Sequence, residues 1–127
     1  MHIFDLRVYY EDTDLAGIVY YANYLRFIER ARSEWVRALG VDQAQMKAEG
    51  RVFAVRRVEA DYLSPARYDD ELRVETTMQP GSGARLVLRQ DVKRGDDVLF
   101  SAIVTIICMT TDGVICRLPA VIRQAAA

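Results

Sequence analysis

The sequence predicts an α+β fold in which one long helix packs on a single antiparallel sheet. Three observations carry that prediction. Over 20–39 the apolar residues Tyr20, Tyr24, Phe27, Ile28, Ala31, Trp35 and Leu39 recur at helical spacing within an arc of roughly 120°, opposite Arg26, Arg30, Ser33 and Arg37. Beyond Gly50 the pattern changes to apolar runs of strand length at 52–63, 71–78, 85–93, 98–109 and 114–118. The stretches between those runs are short and carry turn-forming residues, which favours antiparallel neighbours.

Taken in order, 3–10 reads as a half-buried strand, because Phe4, Leu6, Val8 and Tyr10 alternate with more polar neighbours. The stretch 9–24 then runs from an aromatic strand end through an acidic turn into the helix. Asp12, Thr13 and Asp14 are turn and cap formers, and Gly17 can adopt backbone angles closed to other residues. A carboxylate thus precedes a helix N-terminus, whose unpaired N–H groups and partial positive charge can hold an anion or polarise a carbonyl oxygen. Gly40 is the expected helix stop, Asp42 the cap of a short second helix through Glu49, and Gly50 its end. Within the sheet, Leu72, Val74, Thr76 and Met78 give one clear alternation, whereas 99–109 is apolar on both faces. Such a strand belongs inside the sheet, covered by the helix on one side and by another subunit on the other. The last three residues, 125–127, are expected to fray. A length of 127 residues with no internal repeat reads as one domain over 1–127.

Composition removes several function classes. Seventeen basic and 18 acidic residues give a formal net charge of −1, which offers no overall attraction to nucleic acid or an anionic membrane. No 18-residue apolar stretch is present, and Asp5 and Arg7 interrupt the N-terminus where a signal sequence would be apolar, so the expected location is the cytoplasm. Cys108 and Cys116 flank the turn at Thr111, Asp112 and Gly113 symmetrically and read as reduced thiols facing across a hairpin. Two cysteines and one terminal histidine, His2, suit neither a structural zinc site nor a histidine-based triad; no metal is expected. Gly81-Ser82-Gly83 lacks the spacing of a nucleophile elbow and reads as a turn.

The order of motifs resembles a known family. Tyr9 and Tyr10 followed by Glu11-Asp12-Thr13-Asp14, then Gly17-Ile18-Val19-Tyr20, Asn23-Tyr24, Glu29-Arg30-Ala31-Arg32, and later Tyr62-Leu63-Ser64-Pro65-Ala66-Arg67 with Asp70, are similar to the hotdog-fold acyl-CoA thioesterases. The nearest match is the 4-hydroxybenzoyl-CoA thioesterase family and its Tol-Pal-associated branch. The resemblance implies a hotdog fold, a catalytic carboxylate at Asp14, and a helix that begins where the thioester carbonyl binds. It also implies a sheet continued across a homodimer, often with two dimers in a homotetramer. One position departs from the Tol-Pal-associated branch, which commonly has histidine where this chain has Tyr21, and there the chain resembles the aromatic-thioesterase branch better. A backbone N–H serves equally from either residue, but a phenol and an imidazole differ in shape and polarity, so neither branch's acyl preference transfers.

The expected chemistry follows. Asp14 either attacks a thioester carbonyl or takes a proton from water, and N–H groups of 17–21, with Gly17 and Tyr21 foremost, stabilise the oxyanion. Without the resemblance, Asp14 reads better as a cap; the resemblance reverses that, and leaves Asp12 as the turn former. Tyr20, Asn23 and Tyr24 are candidates for the acyl pocket, Tyr24 equally for the core, and Arg67 leads the arginines that could meet coenzyme A phosphates. Coenzyme A enters as part of the substrate, with no separate cofactor, and an acyl-carrier protein is the alternative carrier. The crowded tyrosines favour short, branched or aromatic acyl groups. Two rival readings stand beside hydrolysis: a noncatalytic acyl-CoA or acyl-carrier binding module, and an enoyl thioester hydratase, for which His2 is poorly placed.

Overall fold

The computed structural model describes residues 1–126. Its strands are β1 (His2–Arg7), β2 (Arg51–Tyr62), β3 (Glu71–Gln79), β4 (Arg85–Arg94), β5 (Asp97–Thr110) and the short β6 (Ile115–Cys116). Its helices are α1 (Asn23–Ala38), α2 (Gln43–Ala48) and α3 (Ala120–Ala126). All strand pairs are antiparallel, in the order β1-β3-β4-β5-β2, with β6 paired to β5.

The helix lies on one face of the sheet because both present the same apolar set. Tyr24, Phe27, Ile28, Ala31 and Trp35 of α1 are buried, and so are Leu72 and Val74 of β3, Leu88 and Val92 of β4, and Phe100, Ala102 and Val104 of β5. Each Val, Leu, Ile or Phe among them contributes on the order of 1.5–3 kcal/mol by leaving water. β5 runs inside the sheet, between β4 and β2, as its apolarity predicts. Its outer face, Ser101, Ile103, Thr105, Ile107 and Met109, is only half-buried in the single chain. The long strand β2 forms an edge, and from Val55 onwards its residues are exposed.

The helix punctuation matches the sequence reading. Gly40 and Gly50 adopt φ of +88° and +86°, and the Asp42 carboxylate accepts from the N–H groups of Ala44 and Gln45. Most strand boundaries differ by a single residue, and larger differences occur elsewhere. The first strand stops at Arg7 instead of Tyr10, since a single 3-10 turn takes Tyr10–Asp12. α1 starts at Asn23, three residues after Tyr20, because residues 20–23 form a turn closed by the Asn23 N–H on the Tyr20 carbonyl at 2.8 Å, while the Tyr20 N–H donates to the Asp12 carbonyl at 2.9 Å. The strand expected at 114–118 shrinks to Ile115–Cys116, after which the Leu118 N–H donates to the Gly83 carbonyl. The expected loose end at 125–127 is helical at Ala125 and Ala126, the last residues of α3, while Ala127 lies outside the described residues. The two cysteines do face each other, as free thiols with Sγ atoms 3.3 Å apart. Burial first, and Cys116 second, push the Cys108 thiol up to about 11.

Candidate active site

The acidic stretch folds into a tight hairpin that is stitched to the start of α1. The Asp14 N–H donates to the Ile18 carbonyl at 2.9 Å, and the Asp14 carboxylate accepts the Ala16 N–H at 2.9 Å. Gly17 closes the turn at φ +77°, a region that strains other residues. Asp12 behaves as the turn former that its position predicts: its carboxylate accepts the Tyr9 N–H at 2.8 Å. The Asp12 carbonyl accepts twice, from the Tyr20 N–H and from the Asn23 side-chain amide at 2.9 Å. That double contact ties the acidic turn to the helix end.

Of the expected oxyanion donors, the structure leaves some open and fills others. The Gly17 N–H donates to the Asp14 carbonyl at 3.0 Å, the Val19 N–H to the Ala66 carbonyl at 2.8 Å, and the Tyr20 N–H to Asp12. Gly17 therefore shapes the turn and spends its own donor there. Among the described residues the N–H groups of Ile18 and Tyr21 have no acceptor. The N-cap of α1, Ala22, offers no side-chain cap, and no acidic residue occupies the first turn, so the positive helix end stays open. The Asp14 side chain is exposed beside this end, near enough that its charge contributes, after Tyr21 and burial, to raising the Tyr20 phenol pKa.

The remaining candidates divide. Tyr20 and Tyr21 are exposed, with ring centroids 4.9 Å apart. Asn23 is buried and acts as the latch on Asp12. Tyr24 is a core aromatic: it stacks on Phe100 at 5.0 Å, and its hydroxyl accepts the Ala66 N–H at 3.0 Å. Burial raises its pKa. Arg67 is exposed, and its backbone N–H donates to the Asp70 carboxylate at 2.8 Å.

Two participants escaped the sequence reading. Tyr62, at the end of β2, donates its hydroxyl to the Tyr21 carbonyl at 3.0 Å and so orients the peptide next to the free Tyr21 N–H. Asp70 braces the 64–70 loop by accepting from Arg67 and from Arg94, whose Nη1 lies 2.8 Å away. Burial works to raise the Asp70 pKa, but the Arg67 N–H and the Arg94 guanidinium outweigh it and hold the carboxyl below its usual range. Both residues sat in the motif that carried the resemblance; what they touch depended on strand pairing that no local pattern reveals.

An exposed carboxylate on a turn tied to an open helix end is a combination that several hydrolytic and non-hydrolytic enzymes could use. Comparison with known proteins decides the family. The family model described as "Thioesterase-like superfamily" matches residues 8–126. The chain belongs to the thioesterase-like superfamily. It is 41% identical over 107 residues to the acyl-CoA thioesterase YbgC of Haemophilus influenzae, covering 84% of this chain and 79% of that one. It is 40% identical over 105 residues to the acyl-CoA thioester hydrolase YbgC of Escherichia coli O6:H1, covering 82% and 78%. A probable thioesterase from Bartonella henselae superposes with a TM-score of 0.88 at 37% identity, over 93% of this chain and 98% of that one. The fold is thus the hotdog fold, with α1 held by the curved sheet, and the thioesterase resemblance read in the sequence holds.

Proposed function

We propose that this thioesterase hydrolyses acyl-CoA thioesters to a carboxylic acid and coenzyme A, with Asp14 as nucleophile or general base and the Tyr21 N–H as oxyanion donor. The observation that carries the reading is the exposed Asp14 carboxylate tied, through Asp12, to an α1 N-terminus whose Tyr21 N–H is unpaired among the described residues. A donor fixed before the reaction begins stabilises the developing oxyanion without reorganisation. Gly17 supports the site through its turn. Tyr20 and Tyr21 border the substrate, Asn23 and Tyr24 hold the site's frame, and Arg67 remains a candidate for the coenzyme A phosphates, being exposed and free of ion pairs among the described residues. The chemistry uses no metal or separate cofactor. We place the reaction in the cytoplasm, supported by the absence of any described helix long and apolar enough to cross a membrane. The working unit is a homodimer or homotetramer, and an acyl-carrier protein is the alternative acyl donor. A thiol-release assay across acyl-CoAs of differing acyl group tests the reading: turnover of any of them supports it, and binding without release would favour the noncatalytic module.

A further inference from the structure

One flank of α1 has no part in the carboxylate chemistry, yet it carries a charged group in an apolar setting. A cavity of about 190 Å³ opens there, between Arg32 and Val36 of α1 and Phe53, Val55, Leu88 and Ile106 of the sheet. Arg32 is held in place by Gln90, which is 0% exposed on β4. The Gln90 side-chain amide donates to the Ile28 carbonyl and to the Thr76 hydroxyl, both at 3.0 Å. A carbonyl can only accept, so the amide orientation is fixed and its oxygen must face Arg32, whose Nη1 donates to it at 3.1 Å. This is the one hydrogen bond of the Arg32 guanidinium among the described residues, and it forms no ion pair there. The neighbouring Glu29 is engaged by the Ser33 hydroxyl at 2.9 Å. Burial lowers the Arg32 pKa, more than Glu29 restores it, but an arginine stays charged at neutral pH. The cavity is mixed, with Glu29, Ser33 and Gln43 lining it beside the apolar residues, and a guanidinium with unused donors there can receive a carboxylate.

The same flank leads back to the thioester end. Ala22, Leu25, Glu29, Arg32 and Val36 recur at helical spacing on one side of α1, starting next to Tyr21. From Ala22 to Arg32 is about 15 Å at the rise of an α-helix. The facing wall is β2. Tyr62 touches the Tyr21 carbonyl at one end, and pairing of Tyr62 with Phe100, Val58 with Val104 and Val55 with Ile106 puts all three on the inner face, ending at the cavity. In the single chain Leu25 and Val58, each 40% exposed, and Val55, 48% exposed, line a groove between the two ends, with Glu29 on its helix side and the β2 edge as its outer wall.

We infer that this groove receives the acyl chain of the substrate and that Arg32 selects chains ending in a carboxylate, so that medium-chain dicarboxylic acyl-CoAs are the preferred class. The inference rests on the acyl-CoA reading and extends the short, aromatic-walled pocket suggested by the tyrosines alone. Binding is tested without turnover, using thioether analogues of coenzyme A with an octyl chain or a 7-carboxyheptyl chain, titrated calorimetrically into the wild-type protein, Arg32→Gln, Arg32→Lys and the outward-facing Arg26→Gln. The wild type and Arg26→Gln should bind the carboxylate analogue on the order of tenfold more tightly than the octyl analogue. Arg32→Gln should bring that ratio near one, and Arg32→Lys should restore part of it. A wild-type ratio near one overturns the inference. So does an Arg32→Gln protein that loses both analogues equally or changes its sedimentation mass, because Arg32 would then serve the fold or a subunit contact. Failure of the wild type to release thiol from any acyl-CoA would instead count against hydrolysis, and leaves the binding ratio still readable.

Discussion

Asp14 concentrates the residue-scale argument, because its carboxylate is both a local turn acceptor and the proposed reacting group. Asp14→Asn preserves the acceptor for the Ala16 N–H, so chemical denaturation should register a loss of ~1 kcal/mol or less. Turnover should fall by on the order of 10² to 10⁴. Asp12→Asn also keeps its acceptor for Tyr9 and should show the milder catalytic defect. An Asp14→Asn protein that stays folded with near-normal turnover removes the central assignment. Single-turnover hydrolysis in ¹⁸O water probes the two chemistries, since label in the protein carboxylate requires a mixed anhydride opened by water at the Asp14 carboxyl carbon, whereas general-base attack labels only the released acid. The oxyanion role makes a second prediction. Tyr21→Phe retains the backbone donor and should keep most activity, whereas Tyr21→Pro deletes it and should cost on the order of 10² to 10³ in kcat with the circular dichroism spectrum retained. The turn that carries Asp14 and Gly17 was legible because it is one contiguous stretch with its own turn chemistry, but the Gly17 N–H expected at the oxyanion is spent on the Asp14 carbonyl. Which N–H groups stay free was not legible, because Val19 and Tyr20 lose theirs to Ala66 and Asp12 only once the hairpin and the 64–70 loop have met.

The elements around the site depend on that loop, which β2 and β3 deliver to the α1 N-terminus. Tyr24 accepts the buried Ala66 N–H from one side, and Asp70 accepts from Arg67 and Arg94 on the other. The sequence marks 64–70 as a connection, but its grip on the hairpin through Val19 and the Ile18–Arg67 bridge comes from tertiary packing. Asp70 gives this brace a pH dependence. Its folded pKa lies below the unfolded value, so its contribution is complete above the unfolded pKa and is lost as pH falls through the folded one. Unfolding followed between roughly pH 6 and pH 2 should show stability declining below about pH 4, the usual carboxylate range. Asp70→Asn should be less stable at neutral pH and flatten that decline. An unchanged acid slope in the variant would assign the acid sensitivity to other carboxylates. Helix ends were read well wherever Gly40, Gly50 or Asp42 fixed them locally, and read poorly at Tyr20, where a distant carbonyl competes for the N–H.

For the whole molecule, the sheet leaves two surfaces that a single chain does not cover. The outer face of β5 carries half-buried Ile103, Ile107 and Met109, and β2 is a twelve-residue edge whose outward N–H and C=O groups have no strand beside them among the described residues. Long edges of this kind pair with another strand unless charge, proline or a bulge blocks them; the single bulge of β2 between Val55 and Arg57 leaves 57–62 regular, and of its charges Arg57 and Glu59 pair with each other at 2.7 Å while Asp61 forms no ion pair among the described residues. The expected assembly is a homodimer joined edge to edge along β2, with a homotetramer as the next step through the outer faces. The apolarity of 99–109 carries the expectation of a partner in the sequence; that β2 lies at the edge follows only from the strand order. Sedimentation at micromolar concentration should therefore give at least twice the 14.5 kDa chain mass. Successive backbone N–H groups of a strand point in opposite directions, so of Val58→Pro and Glu59→Pro one removes a donor to β5 and the other a donor at the open edge. The first should lower the thermal midpoint of the chain, and the second should lower the sedimentation mass with smaller loss of stability. A wild-type protein found only at 14.5 kDa sinks the edge-to-edge dimer, and two prolines that both unfold the chain while neither changes the mass of the folded fraction place the interface away from β2.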